Sequence, residues 1–140
     1  MTTSRAKPAP VPTPETAPYW AAANERRLLV RRCEACDTAF APMVMRCDRC
    51  DGALTWTEAS GRARLASYVI VHRPAPAWRD EAPYVIALVD LDEGPRLMTN
   101  LLGVEPTPES LQLDAPYVVG FEPRGDDGEQ LVPVFRPEGR

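Results

Sequence analysis

Four cysteines, Cys33, Cys36, Cys47 and Cys50, form two C-x-x-C pairs with ten residues between them, and the 140-residue chain has no others. No other feature restricts the fold as strongly. Each pair can place two thiolates on one tight turn, and two such turns facing one another build a tetrahedral sulfur cage for a metal. Zinc is the expected ion in a chain without other redox features. Iron in a rubredoxin-like cage is the less favoured occupant of the same donor set. The competing use of four cysteines is disulfide bonding, with three possible connectivities. Residues 1–18, MTTSRAKPAPVPTPETAP, lack the charged-then-apolar pattern of an export signal. A reducing cytoplasmic setting, and therefore a metal, is the expectation.

Four protein ligands leave no open coordination position, so the ion should hold structure and not activate water. The residue after the second cysteine of such a knuckle often needs a positive φ, which glycine supplies at least cost. Asp37 and Asp51 stand there instead, with Gly52 one step later. Aspartate tolerates the left-handed region better than most residues. Phe40 and Pro42, between the pairs, are placed to cover the sulfurs.

The formal charge of −4 is unevenly spread. Residues 1–64 carry ten basic and seven acidic side chains, and residues 65–140 carry six and thirteen. The second part is thus clearly acidic, and the basic footprint of a general nucleic-acid binder is missing. No apolar run approaches the roughly 18 residues that span a bilayer.

Along the chain, residues 1–16 read as a disordered, proline-rich tail. A short helix is expected from Pro18 to Asn24, with Thr16 as its cap and Tyr19 and Trp20 as its large apolar residues. Those two either anchor the helix on the rest of the fold or face a partner. The run Leu28–Arg32 leads as a strand into the first knuckle, and Leu54–Thr57 returns from the second. Residues 17–57 then comprise the helix and ribbon. Over 58–137 the pattern is all-β, with candidate strands Ala63–His72, Tyr84–Asp90, Leu97–Leu102, Tyr117–Glu122 and Leu131–Phe135. Five short strands in so few residues suit a small Greek-key barrel of the OB type, or alternatively an open sandwich. The proline-rich segment 73–83 predicts a long loop at one rim. The fold class expected is mainly β: short helix, four-cysteine ribbon, five-stranded barrel.

Catalytic equipment is sparse. The single histidine, His72, has no nucleophile turn to serve and reads as a packed or hydrogen-bonded side chain. Phosphate-cradling and dinucleotide glycine motifs are absent. Asp90, Asp92 and Glu93 read more simply as a solvated hairpin turn than as an acid/base or metal pair. The residues therefore predict no intrinsic enzymatic activity.

Several strings carry a more specific signal: Tyr19-Trp20 ahead of LLVRRC (28–33), WTEASG (56–61), SYVIVHRP (67–74), PYVIALVDLDEG (83–94) and PVFRP (133–137). In this order the chain resembles the family of OB-fold proteins with a rubredoxin-like zinc ribbon, long known as a domain of unknown function, over residues 17–137. The resemblance implies an accessory subunit of acyl-CoA metabolism. Its implied partner is a thiolase-like or aldolase enzyme, in lipid, sterol side-chain or polyketide metabolism, and the pair is expected to form a hetero-oligomer. The four cysteines match the family's metal ligands one for one, and no catalytic residue is carried over. No hydratase segment accompanies these residues, so hydratase activity is not assigned. Arg26, Arg27, Arg31, Arg32, Arg46 and Arg49 flank the knuckles and are suited to phosphates. Tyr19, Trp20, Arg31 and Arg32 are the resulting candidates for acyl-CoA or partner contacts. A single-stranded nucleic-acid-binding OB module is the alternative, disfavoured by the acidic barrel.

Overall fold

The computed structural model describes residues 7–139. The N-terminal helix α1 (Ala17–Asn24) starts differently from the expected capping by Thr16. Thr16 makes no cap bond of its own. Thr13 takes that role: its Oγ1 accepts from Thr16 N at 3.3 Å, and Thr13 N donates to Thr16 Oγ1 at 2.9 Å. Two orphan donors are thereby satisfied reciprocally, as in a capping box. The helix ends with Arg26 at φ 60°, while Arg27 N reaches back to Ala22 O and Arg26 N to Ala23 O, both at 2.9 Å. This is a Schellman closure in which arginine occupies the usual glycine position.

The ribbon sheet has the order β2-β1-β3, from Ala39–Phe40, Leu29–Cys33 and Leu54–Glu58, all antiparallel. The barrel follows, with β4 (Arg62–Val71), β5 (Tyr84–Leu91), β6 (Arg96–Leu101), β7 (Pro116–Arg124) and β8 (Gln130–Pro137). These close in the order β4-β5-β6-β8-β7, and β4 pairs with β7 to complete the ring. The β6–β8 contact is parallel, Leu101 opposite Phe135. That closed five-strand arrangement is an OB barrel, so the open sandwich is set aside. β4 serves both neighbours because it bends at a bulge between Leu65 and Ser67, which increases local twist. The proline-rich 73–83 segment, expected as a long loop, contains a 3-10 turn over Pro76–Glu81.

Strand alternation fills the interior. Val85, Ala87, Val89 and Leu91 of β5 point inward against Ala63 and Leu65 of β4. Leu28, Val30 and Ala59 belong to the same buried cluster. The ribbon and the barrel therefore share one core, as a module too small to bury enough surface alone requires.

The tail also differs from expectation. Residues 1–6 lie outside the described residues, but residues 7–10 lie against the barrel. Gly125 N donates to Lys7 O at 2.9 Å, and Lys7 Nζ pairs with Glu122 at 2.9 Å and Glu81 at 3.2 Å.

Candidate metal centre and partner surface

The two knuckles are near copies. Asp37 N donates to Cys33 O at 2.9 Å, and Asp51 N to Cys47 O at 3.1 Å. Each turn then needs a left-handed residue, and Asp37 and Asp51 adopt φ 63° and 61°. Gly52 has a different function: a Cβ there would lie 2.8 Å from Cys33 Sγ and 3.3 Å from Cys50 Sγ. The sulfur cage fills the space that any side chain would need.

The four Sγ atoms all lie within 4.8 Å of one another. Cys33–Cys50 is 3.4 Å, Cys36–Cys47 is 3.5 Å and Cys47–Cys50 is 3.7 Å. A tetrahedron with metal–sulfur bonds of about 2.3 Å has edges of about 3.8 Å, so the donors suit one tetrahedral ion. Disulfides need sulfurs about 2.05 Å apart, and all four cysteines are free. Cys36 N approaches Cys33 Sγ and Arg49 N approaches Cys47 Sγ, both at 3.4 Å. The amide of Cys36 lowers the Cys33 thiol, and the Thr38 hydroxyl lowers that of Cys36. Cys50, sharing a proton with Cys33, is raised instead. Amides aimed at sulfur favour thiolates, the form a metal requires.

Four of the six arginines that flank the knuckles are engaged by groups of this chain. Arg31 is only 9% exposed. Its Nε donates to Pro42 O at 2.8 Å, one terminal nitrogen donates to Glu15 O at 2.9 Å, and its guanidinium stacks over Trp56 at 4.0 Å. The fork thus ties α1's approach, the inter-knuckle loop and β3 together. Arg32 braces the first knuckle through Asp37 O at 2.9 Å. Arg27 is held by Glu25 and Glu58, and Arg46 by Asp51.

Tyr19 and Trp20 form an edge-to-face pair with centroids 4.8 Å apart. Tyr19 packs against the barrel core, and burial pushes its phenol up to about 12. Trp20 is half-buried beside β6 and β8. The helix is pinned to β8 through Asn24, whose Oδ1 accepts from Leu131 N at 2.8 Å. His72 is exposed just beyond β4, not packed. Asp90 belongs to the hairpin as expected, in a two-point pair with Arg96 at 2.7 and 3.1 Å. Glu93 is less solvated than a turn residue need be, because its Oε2 accepts from Ser60 N at 2.7 Å at the ribbon–barrel junction.

One cluster has no local signature in the sequence. Lys7 and Arg124 both lie over the Trp78 ring, at 4.9 and 4.8 Å, and Glu122 pairs with both cations. Burial opposes ionisation of Glu122, but Lys7 and Arg124 together outweigh it and hold the carboxyl below its usual range. Residues 7, 78 and 122–124 are far apart in sequence, and only the tail's docking brings them together.

A four-sulfur ribbon joined through a common core to an OB barrel defines a two-module, metal-stabilised β protein. Residues 20–56 match the family model described as the rubredoxin-like zinc ribbon domain of ChsH2, and residues 56–121 match its C-terminal OB-fold domain. A DUF35 domain-containing scaffold protein of Methanothermobacter thermautotrophicus is 30% identical over 121 residues, covering 84% of this chain and 90% of the relative. The chain belongs to the DUF35 family. A probable enoyl-CoA hydratase alpha subunit of Thermomonospora curvata is 40% identical over 134 residues, covering 94% of this chain. The match spans only 40% of that relative's length. Among solved structures, a chain titled Ltp2-ChsH2(DUF35) aldolase superposes with a TM-score of 0.79 at 37% identity, covering 92% of this chain and 98% of that one. A DUF35 protein from Sulfolobus solfataricus, at 17% identity and a TM-score of 0.58, shares the fold.

Proposed function

We propose that this chain is a non-catalytic, zinc-holding subunit that docks on a thiolase-like or aldolase enzyme and supports its processing of acyl-CoA substrates in the cytoplasm. The observation that carries this reading is the near-complete correspondence with the DUF35 chain of the Ltp2-ChsH2 aldolase. The scaffold names of the archaeal relatives point the same way. Zinc is the ion best suited to four thiolates in a closed structural site. Its ligands Cys33, Cys36, Cys47 and Cys50 hold the knuckles, and no catalytic step passes through it.

The surface supports docking. Met43 and Met45 stand out between the knuckles, 83% and 55% exposed. On the barrel's outer face, Ser67, Leu88 and Met98 align across three strands next to Val69 and Ile86. Adaptable methionines and uncovered apolar positions are common at partner surfaces. Trp20 adjoins that face and remains a candidate contact, with Arg32 at the ribbon edge. Nucleic-acid binding fits less well, because Arg62, Arg96 and Arg124 of the barrel are each paired with a carboxylate, whereas phosphate binding needs uncommitted cations.

Co-expression with the thiolase-fold product of an adjacent reading frame, then co-purification and assay, tests the proposal. A stable complex whose activity drops when this chain is withheld is expected. Two proteins that never associate, with the enzyme fully active alone, would refute it.

A further inference from the structure

We propose that Lys7–Pro10 is a releasable strap, latched at Lys7, and that the cavity it walls receives the acyl end of an acyl thioester. The cavity, of about 380 Å³, lies between the strap, α1 and strands β6 and β8. Its floor and sides are Tyr19, Trp20, Met98, Val132 and Pro133, with Pro8 and Pro10 of the strap opposite. One corner is polar, formed by Asn100 and Arg124. Arg124 spends Nε on Glu122 and one terminal nitrogen on Asn100 Oδ1. Its other terminal nitrogen has no hydrogen-bond partner among the described residues, which leaves a donor for a carbonyl oxygen. Thr99, Asn100 and Arg124 make one end of the cavity polar, and Trp20, Met98, Val132 and Pro133 make the other apolar, a division that matches the carbonyl and the chain of an acyl group. The volume sits at the small end of ligand cavities, a size that suits an acyl chain. The acyl class rests on the acyl-CoA reading above, whereas the cavity and the latch do not.

The strap is built to let go. Residues 8–12 make no backbone hydrogen bond among the described residues, and three of these five are prolines without an N–H. Backbone order returns only at Thr13, where the helix cap begins. Everything between depends on Lys7: its carbonyl on Gly125 N, its ammonium between Glu122 and Glu81, and its position over Trp78. Among the described residues ahead of Thr13 the polar contacts are confined to Lys7, and a segment so held opens locally without disturbing the barrel.

Lys7 is the sole lysine of the chain, so its acetylation by acetic anhydride, read by peptide mass, reports the latch directly. In the full zinc-loaded chain, Glu122→Gln should speed Lys7 labelling at least tenfold; equal rates would overturn the latch. The chain has three tryptophans, so the indole N–H region of a ¹⁵N spectrum holds three signals. Octanoyl-pantetheine, which carries an acyl chain and no nucleotide, should move that of Trp20 and leave that of Trp56. No movement at millimolar probe, or the same movement with pantetheine alone, overturns the acyl site. Met98→Glu, at a position 75% exposed and so tolerant of the change, should weaken the probe tenfold; unchanged binding would place it elsewhere. If the enzyme partner still co-purifies while the probe fails, this inference falls and the docking proposal stands. A probe that binds a chain with no partner leaves the acyl site standing and removes the docking proposal.

Discussion

Arg31 separates two accounts of the ribbon. Replacing it with methionine keeps the aliphatic stem but removes the donors to Pro42 O and Glu15 O and the stack on Trp56. Hydrogen bonds from a charged donor contribute about 1.5–3 kcal/mol each, and a largely desolvated cation–π contact about 1–2 kcal/mol. Against this, the variant no longer has to bury a guanidinium, a cost of several kcal/mol. The balance is a destabilisation of about 2–4 kcal/mol, because the carbonyl of buried Pro42 and the partly buried contact to Glu15 O lose their donor. Arg31→Lys should cost about half as much: it retains charge, but one ammonium cannot bridge both carbonyls or stack flat on the indole. At about 3 °C per kcal/mol for a domain of this size, Arg31→Met should lower Tm by about 6–12 °C. Thermal unfolding by circular dichroism in excess zinc measures it, with exposed Arg49→Ala as a control expected within about 0.5 kcal/mol of the parent. A Tm shift below about 2 °C together with weakened acyl-CoA binding would refute the structural role and restore the phosphate contact suggested by the sequence.

Three further outcomes follow from the geometry. Cys33→Ser removes a thiolate from the most enclosed corner of the cage, so metal content by mass spectrometry should fall below one ion per chain and partner binding should be lost. Full zinc occupancy and an intact complex would contradict the clamp role. Gly61→Ala places a Cβ 2.5 Å from Val119 Cγ1 at φ +84° and should cost about 2–4 kcal/mol in urea titration. Tyr19 keeps its proton in the folded state up to about 12, against an ordinary value of 10.0 for a free phenol. Its contribution is therefore complete below pH 10 and is lost as pH rises from 10 to 12, roughly 3 kcal/mol in all. Tyr19→Phe should remove that part of the alkaline slope in urea midpoints measured across the range.

Much of the fold was legible because its signals are local. A C-x-x-C knuckle encodes its own turn, and aspartates tolerant of positive φ stand where that turn needs them. Alternation in Tyr84–Leu91 shows which face of the strand is buried before any partner is known. What stayed hidden depends on distant pairings. Nothing near Arg31 announces that Pro42 O and Glu15 O will take its donors, so it resembled its more exposed neighbours Arg27 and Arg32. The proline tail looked disordered because low hydrophobicity is its only local property. Lys7 acquires its docking energy from Trp78, Glu122 and Gly125, none within seventy residues of it. The helix cap shifted from Thr16 to Thr13 for a smaller reason: Thr16 serves as the reciprocal partner three residues downstream, a role that threonine fills less often than glutamate.

The metal cage and the proposed partner surface are linked by continuous structure. β1 ends at Cys33 and begins one residue after Leu28, with Val30 and Arg31 between. Val30 and Leu28 enter the barrel core, Ala59 N closes onto Leu28 O at 2.8 Å, and Ser60 N is fixed by Glu93 on the β5–β6 hairpin. That hairpin continues into Met98 on the barrel's outer face. A loosened cage therefore disturbs β1, and β1 cannot move without opening the core beneath the strands of that face. Four thiolates held without a free coordination position do no chemistry on a substrate, but they fix the pitch of the one strand that joins both modules. A closed site suits that role, because an open position would admit water and allow the geometry to vary with what is bound.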